Sequence, residues 1–433
     1  MFNKVPWGKI IKDFAQFPLP KGIKQRDIDI PEKIPLKRSI SIIGPRRSGK
    51  TYEMFLLIKN LLNKGIEINQ MQYINFESFE LVGIKLCDME DFLSVYYSIY
   101  PENYQKDLWL FLDEIQTLPE WEKWVRSLID KDIHVYLSGS SSKLLSKEIA
   151  TQMRGRNLTY EIFPLNFREY LVFHSIQVES YLSTKKEAQI KKYVEKYLNW
   201  GGYPEISLYE PAKEKILNEI LNVTIQKDVI ERYHIRNEKI LRLLVKALIN
   251  SKQFSVRKFH NFLKSSGQSV SKNTLYSYLK YLTDSMTVYT LHKYSPTFKE
   301  EERSRPKIYF IDNGLLKISG INDKGRLLEN CVFTELLRRY KLDQIRYFLV
   351  DRREVDFVIL QGKKIYQLIQ VSYDLSDFQT REREYKALIQ ASKVLENNNL
   401  LLITWNEEGE EVFKDKKISI IPLWKWLLRF RSN

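Results

Sequence analysis

The run Gly-Pro-Arg-Arg-Ser-Gly-Lys-Thr at 44–51 follows the apolar stretch "SISII" at 39–43 and leads into "KTYEMFLLIKNLLNKG" at 50–65, whose apolar residues recur at helical spacing. A buried strand, a glycine-bearing turn and a helix in immediate succession leave few folds open. Gly44, Gly49, Lys50 and Thr51 fill the pattern G-x-x-x-x-G-K-[ST]. In that pattern the glycines keep Cβ atoms away from backbone N–H groups that wrap a β-phosphate. The lysine reaches the β- and γ-phosphates, and the threonine hydroxyl ligates Mg²⁺. The expected cofactors are therefore ATP and Mg²⁺. The expected contacts are Gly44, Pro45, Arg46, Arg47, Ser48, Gly49, Lys50, Thr51 and Tyr52, with Thr51 on the metal.

Two later segments complete this chemistry. "LWLFLDEIQ" at 108–116 is an apolar strand ending in Asp113 and Glu114. An acid at the carboxyl end of a central strand lies in the crevice where open α/β sheets bind ligands. Asp113 is expected to hold Mg²⁺, and Glu114 to polarise the attacking water. "IHVYLSGSSSKLL" at 133–145 is a β-branched strand with a small polar tip. A hydroxyl there, Ser138 or Ser140, is placed to sense the γ-phosphate or align the water. No guanine-reading N/T-K-x-D pattern occurs, so ATP is the expected nucleotide.

The formal charge of +15 over 433 residues suits a polyanionic partner, because each neutralised phosphate releases condensed counterions. Cys87 and Cys331 are the two cysteines, too far apart for a zinc knuckle or a disulfide framework, which fits a reducing cytoplasm. No stretch approaches the ~18 consecutive apolar residues that span a bilayer, so no membrane is expected.

Residues 255–285 read as two short helices around a glycine turn. Ser255 caps the first, with Val256, Phe259 and Phe262 or Leu263 inward. Ser271 caps the second, with Leu275, Leu279 and Leu282 on one face and Lys272, Asn273, Ser277 and Lys280 on the other. With strands at 287–294 and 306–312 this reads as a winged helix-turn-helix, expected to place its second helix in a DNA major groove or, alternatively, to dock a protein or serve as a purely structural module. The acids in "FKEEERSR" count against the wing tip as a phosphate clamp.

Taken together, "IIGPRRSGKT", "LDEIQTLPEWEKWVRSLID", "LSGSSSKLL", "MRGRNLTYEIFPLNFREY" and "WGGYPE" resemble the AAA-type ATPases of archaea and bacteria that carry a C-terminal domain of unknown function. The resemblance implies an α/β fold. In it, a P-loop NTPase (AAA+-like) parallel sheet with a helical lid precedes a winged helix and a restriction-endonuclease-like α/β domain. The expected segments are 1–35, a core at 36–180, a lid and connector at 181–245, the winged helix at 246–312 and the nuclease-like domain at 313–433. The resemblance makes Arg154 or Arg156 the candidate arginine finger, acting within the chain or across a homo-oligomer, with Arg46 and Arg47 as competitors. The glycines of "WGGYPE" read as a tight turn.

The last segment is similar in element order to PD-(D/E)XK nucleases. Asp356 matches the second-strand acid, and Glu329 or Glu335 the helix acid. The third strand has Gln370-Val371-Ser372 where E-x-K is expected. Gln can offer an amide oxygen but no charge, and Ser cannot replace an ammonium. A migrated group such as Glu382, Glu384 or Lys364 is the remaining rescue, so the expected domain is a catalytically silent nuclease fold used for nucleic-acid or subunit contact. The expected function is ATP hydrolysis coupled to DNA binding or processing. The alternatives are an ATP-dependent protein-docking switch and an active endonuclease.

Overall fold

The computed structural model describes residues 5–139, 153–178, 183–295, 297, 300–301 and 304–429. The chain forms two compact units, Met1–Phe163 and Pro164–Asn433. In the first, five strands build one sheet: β1 (Ser39–Ile43), β2 (Met71–Asn75), β3 (Trp109–Asp113), β4 (His134–Gly139) and β5 (Asn157–Glu161). Their order is β2-β3-β4-β1-β5, and every pairing is parallel. Parallel sheets are covered on both faces, which is why β1 and β3 are buried at every residue. Helix Lys50–Asn63 presses Met54, Phe55, Leu57, Ile58 and Leu61 into the core beside Ile40, Ile42, Phe111 and Tyr136.

The second unit begins with helices, among them Phe167–Phe173, Thr184–Trp200, Lys213–Val223 and Glu238–Ile249. Helices Val256–Ser265 and Lys272–Asp284 follow, each capped as the sequence indicates: Ser255 accepts from the Lys258 N–H and Ser271 from the Thr274 N–H. Phe262 is exposed, and Leu263 is the buried member of that pair. Leu279 is only half-buried, and Tyr278 takes an inward place beside Leu275 and Leu282. Strands β6 (Val288–Leu291) and β7 (Lys307–Phe310) form an antiparallel pair. A six-stranded mixed sheet ends the chain: β8 (Ile345–Val350), β9 (Arg353–Gln361), β10 (Lys364–Ser372), β11 (Leu400–Thr404), β12 (Gly409–Phe413) and β13 (Lys416–Pro422), ordered β12-β13-β11-β10-β9-β8. Helices Lys324–Arg339 and Phe378–Val394 pack on it.

The first unit closes at Phe163, and helix Phe167–Phe173 packs against Thr184–Trp200 in the second unit. The segments separated at 245 and 312 share that second unit. No helix among the described residues is long and apolar enough to cross a membrane.

One junction inside the second unit explains "WGGYPE". The buried Asp312 carboxylate accepts from the Gly202 N–H at 2.7 Å and the Gly314 N–H at 2.8 Å. Burial pushes its pKa up to about 7, against the pull of these two amides. Gly201, at φ 75°, packs so closely that a Cβ would lie 1.7 Å from Asp312 Oδ1. Gly267 is also left-handed (φ 72°) but open, with nothing within 4 Å of an added Cβ. Gly201→Ala is therefore expected to destabilise the second unit by about 3 kcal/mol, and Gly267→Ala by only about 1 kcal/mol. Urea unfolding of the two variants checks the difference, and equal losses would contradict the close approach.

Candidate functional site

The phosphate loop leaves the carboxyl end of β1 and enters helix Lys50–Asn63. Arg47 (φ 65°) and Gly49 (φ 104°) both adopt left-handed backbone, the conformation that turns neighbouring amides into an anion-binding concavity. Gly44 is fixed by crowding, since a Cβ there would lie 2.0 Å from the Ile162 carbonyl oxygen. Lys50 is buried at the loop's centre, and its Nζ donates to the carbonyls of Gly44 and Pro45, both at 3.2 Å. Among the described residues the buried Ser48 hydroxyl finds no hydrogen-bond partner. A buried ammonium held only by carbonyls and an orphaned hydroxyl fit a site built for an anion. Arg26 pins the loop from outside, donating to Ser48 O at 3.0 Å and to Phe163 O at 2.8 Å.

Strand β4 lies between β1 and β3, yet the acids still reach the loop. The buried Asp113 carboxylate collects three hydroxyls. Thr51 Oγ1 and Tyr73 OH donate to Oδ2 at 2.8 and 2.7 Å, and Ser138 Oγ donates to Oδ1. Ser138 Oγ also accepts from the Glu114 N–H at 3.1 Å, so it ties both acids to β4. Glu114 sits at φ 53°, and the Gln116 side-chain amide donates to its carboxylate. Burial, then the field of Asp113, pushes the Tyr73 phenol well above its usual range, so it stays a donor.

Arg46 pairs with Glu77 at 3.5 Å, and Tyr52 is largely exposed. Ser140 lies outside the described residues, whereas Ser138 is in place. Arg156 precedes β5, beside the start of β1, and its guanidinium meets Asp130 at 2.5 Å. It is therefore at the amino edge of the sheet, roughly 15 Å along β1 from the phosphate loop of its own chain. Arg154 is exposed in the turn just before it. Sequence reasoning missed Tyr73, Gln116 and Arg26, whose roles depend on strand order. Lys272, Asn273 and Lys280 are exposed and Ser277 is half-buried.

In the second unit, the residues read as nuclease-like do converge, but around a lysine. Lys307 on β7 is 3% exposed, and its Nζ meets Glu329 Oε1 at 2.6 Å, Glu354 Oε1 at 2.9 Å and Asp356 Oδ1 at 2.9 Å. Burial alone would lower its pKa. The fields of Asp356 and Glu329 outweigh that and hold the ammonium well above the usual lysine range. Burial raises Asp356 to about 7 despite Lys307, while Glu329 is carried below its usual value by Lys307 against the effect of burial.

Gln370 uses both ends of its amide within the protein: its Oε1 accepts from the Asp356 N–H at 3.2 Å and its Nε2 donates to Glu384 at 2.6 Å. Glu335 pairs instead with Arg339 at 2.8 Å, and Glu382 with Lys386 at 2.9 Å. Lys364 begins β10, eight residues before Ser372, at the far end of the strand. Among the described residues no group of three or more His, Cys, Asp or Glu is arranged to hold a metal ion. A cavity of about 780 Å³ opens beside this cluster.

Residues 36–171 match the family model described as an AAA domain. Residues 191–324 and 324–426 match models described as domains of unknown function (DUF8612 and DUF4143). An uncharacterized protein of Methanocaldococcus jannaschii is 40% identical over 441 aligned positions, 99% of this chain and 96% of its own. An uncharacterized protein of Haemophilus influenzae is 31% identical over 345 positions, 78% of this chain and 82% of its own. Among solved structures, a Walker-type ATPase of Pyrococcus abyssi aligns at 12% identity with a TM-score of 0.42, over 74% of this chain and 96% of that one. The match over residues 36–171 makes the core AAA-type.

Tyr73→Phe removes one of two donors from a buried carboxylate oxygen. It is expected to destabilise the first unit by about 1–2 kcal/mol. Hydrogen exchange of the β2–β4 amides measures this, and unchanged protection would mean that the Tyr73 hydroxyl is not holding Asp113.

Proposed function

We propose that this chain, which belongs to the same family as the Methanocaldococcus jannaschii relative, binds and hydrolyses ATP with Mg²⁺ and couples that cycle to DNA. The observation that carries the ATPase reading is the meeting of Thr51 and Asp113 at 2.8 Å beside the buried Lys50. Residues far apart in sequence thereby supply a phosphate cradle, a cation, and the hydroxyl–carboxylate pair that suits Mg²⁺. That ion, when bound, neutralises phosphate charge and polarises the bond to be broken.

The chain's own groups do the rest. The loop amides and Lys50 orient the anion, and Lys50 exchanges its two carbonyl partners for phosphate oxygens. Thr51 and Asp113 are the residues that would hold the metal. Glu114 takes the proton of the attacking water at its carboxylate. Gln116 sets the direction of that carboxylate, and Ser138 fixes the backbone from which it projects.

Lys50→Ala is expected to lose tight ATP binding, because the main cation facing the γ-phosphate is gone. Glu114→Gln is expected to retain ATP binding and lose roughly 100-fold or more of its turnover. Equilibrium binding of a labelled nucleotide and a phosphate-release assay separate the two effects. Undiminished affinity in the first variant, or wild-type turnover in the second, would refute the assignments.

The DNA coupling is supported by the net charge of +15 and by the exposed Lys272, Asn273 and Lys280 on the second of two capped helices. Duplex or branched DNA is expected to raise ATP turnover several-fold. Lys272→Ala/Lys280→Ala should weaken DNA binding and reduce its salt slope by about 2. If DNA changes neither turnover nor mobility at low salt, the protein-docking switch becomes the better reading.

A further inference from the structure

We propose that the Lys307 ammonium is the resident cation of the C-terminal carboxylate cluster, so that this site takes no divalent ion and performs no metal-dependent phosphodiester cleavage. The proposal concerns the second unit and stands apart from the ATPase reading.

The stoichiometry is complete. An ammonium has three donors and no acceptor, and Lys307 meets three carboxylates, Glu329, Glu354 and Asp356, each at 2.6–2.9 Å. Two of the three oxygens left over are also engaged. Asp356 Oδ2 accepts from the Val371 N–H at 3.1 Å, and Glu354 Oε2 from Gln253 Nε2 at 2.9 Å. Glu329 Oε1, besides Lys307, accepts from Tyr309 OH at 2.7 Å. The Gln370 oxygen, the remaining candidate ligand, is taken by the Asp356 N–H.

The lysine's surroundings are built for a fixed charge. Tyr309, Tyr347 and Phe357 place their ring centroids 5.9–6.0 Å from Nζ, near the outer limit at which a ring face attracts a cation. A buried lysine is tolerated where carboxylates pair with it, and here it reaches them from another sheet, 49 residues before Asp356. A divalent ion could enter only by displacing that ammonium from all three carboxylates at once. Removing the lysine reverses the balance, because three converging carboxylates without a cation must gain protons or a metal.

The test is Mn²⁺ binding to the nucleotide-free full-length chain, followed by electron paramagnetic resonance of free Mn²⁺. The wild type and Asp356→Asn are expected to give the same isotherm. Lys307→Met is expected to gain one site, binding at least about tenfold tighter than any in the wild type, and to lose it again on adding Asp356→Asn. Lys307→Arg, which keeps the charge, should gain nothing.

Wild-type binding that Asp356→Asn abolishes would overturn the proposal. So would Mn²⁺-dependent DNA cutting lost in Asp356→Ala, or a folded Lys307→Met chain without the new site. The two wild-type measurements decide the matter even if Lys307→Met does not fold.

Discussion

The Asp113 carboxylate is the point on which the first unit depends. A buried charge is tolerated only where donors surround it, and here they come from three different elements: Thr51 from the helix after the phosphate loop, Tyr73 from β2 and Ser138 from β4. One residue at the end of β3 therefore ties together the helix after the loop, strands β2 and β4 and, through Ser138, the backbone of Glu114. The sheet order makes this necessary. With β4 inserted between β1 and β3, the phosphate loop and its acid are not on adjacent strands, and side chains must bridge the gap.

The second unit treats a buried carboxylate differently. At Asp113 the partners are neutral hydroxyls, which can donate to an acid or ligate a metal without any change of charge. At Asp356 the partner is an ammonium that offers no lone pair. The first arrangement can exchange one set of contacts for another at little electrostatic cost, and the second cannot. Two sites of similar residue types are thereby suited to opposite behaviour, one to a ligand that comes and goes and the other to a fixed core charge.

What was legible in the sequence was whatever chemistry lies within one strand-turn-helix segment. Gly44 to Thr51, Asp113 with Glu114, and the caps at Ser255 and Ser271 all declare themselves over fewer than ten residues, because each is a local backbone requirement. Tyr73 and Lys307 were invisible for the opposite reason. Tyr73 matters only once β2 lies beside β3, and Lys307 only once β7 is brought against β9 and helix Lys324–Arg339; in isolation each is an ordinary residue of a buried strand. Arg156 shows the same limit from the other side. An arginine just ahead of a strand looks much like one just beyond it, and only the parallel pairing of β5 with β1 places it at the edge away from the loop.

That placement bears on how the γ-phosphate charge can be met. Within its own unit, Lys50 is the cation buried in the cradle, while Arg46 leans toward Glu77 and Arg156 lies at the opposite edge on Asp130. The two arginines in "MRGR" face outward from the amino edge of the sheet, Arg154 exposed and Arg156 half-exposed. For either to act as a finger, its guanidinium would have to approach the loop of a second copy, since strand direction keeps it from its own. For an arginine of this turn, the geometry of one chain thus leaves action across a subunit boundary, whereas Lys50, Arg46 and Arg47 are the cations that the loop of the same chain itself carries.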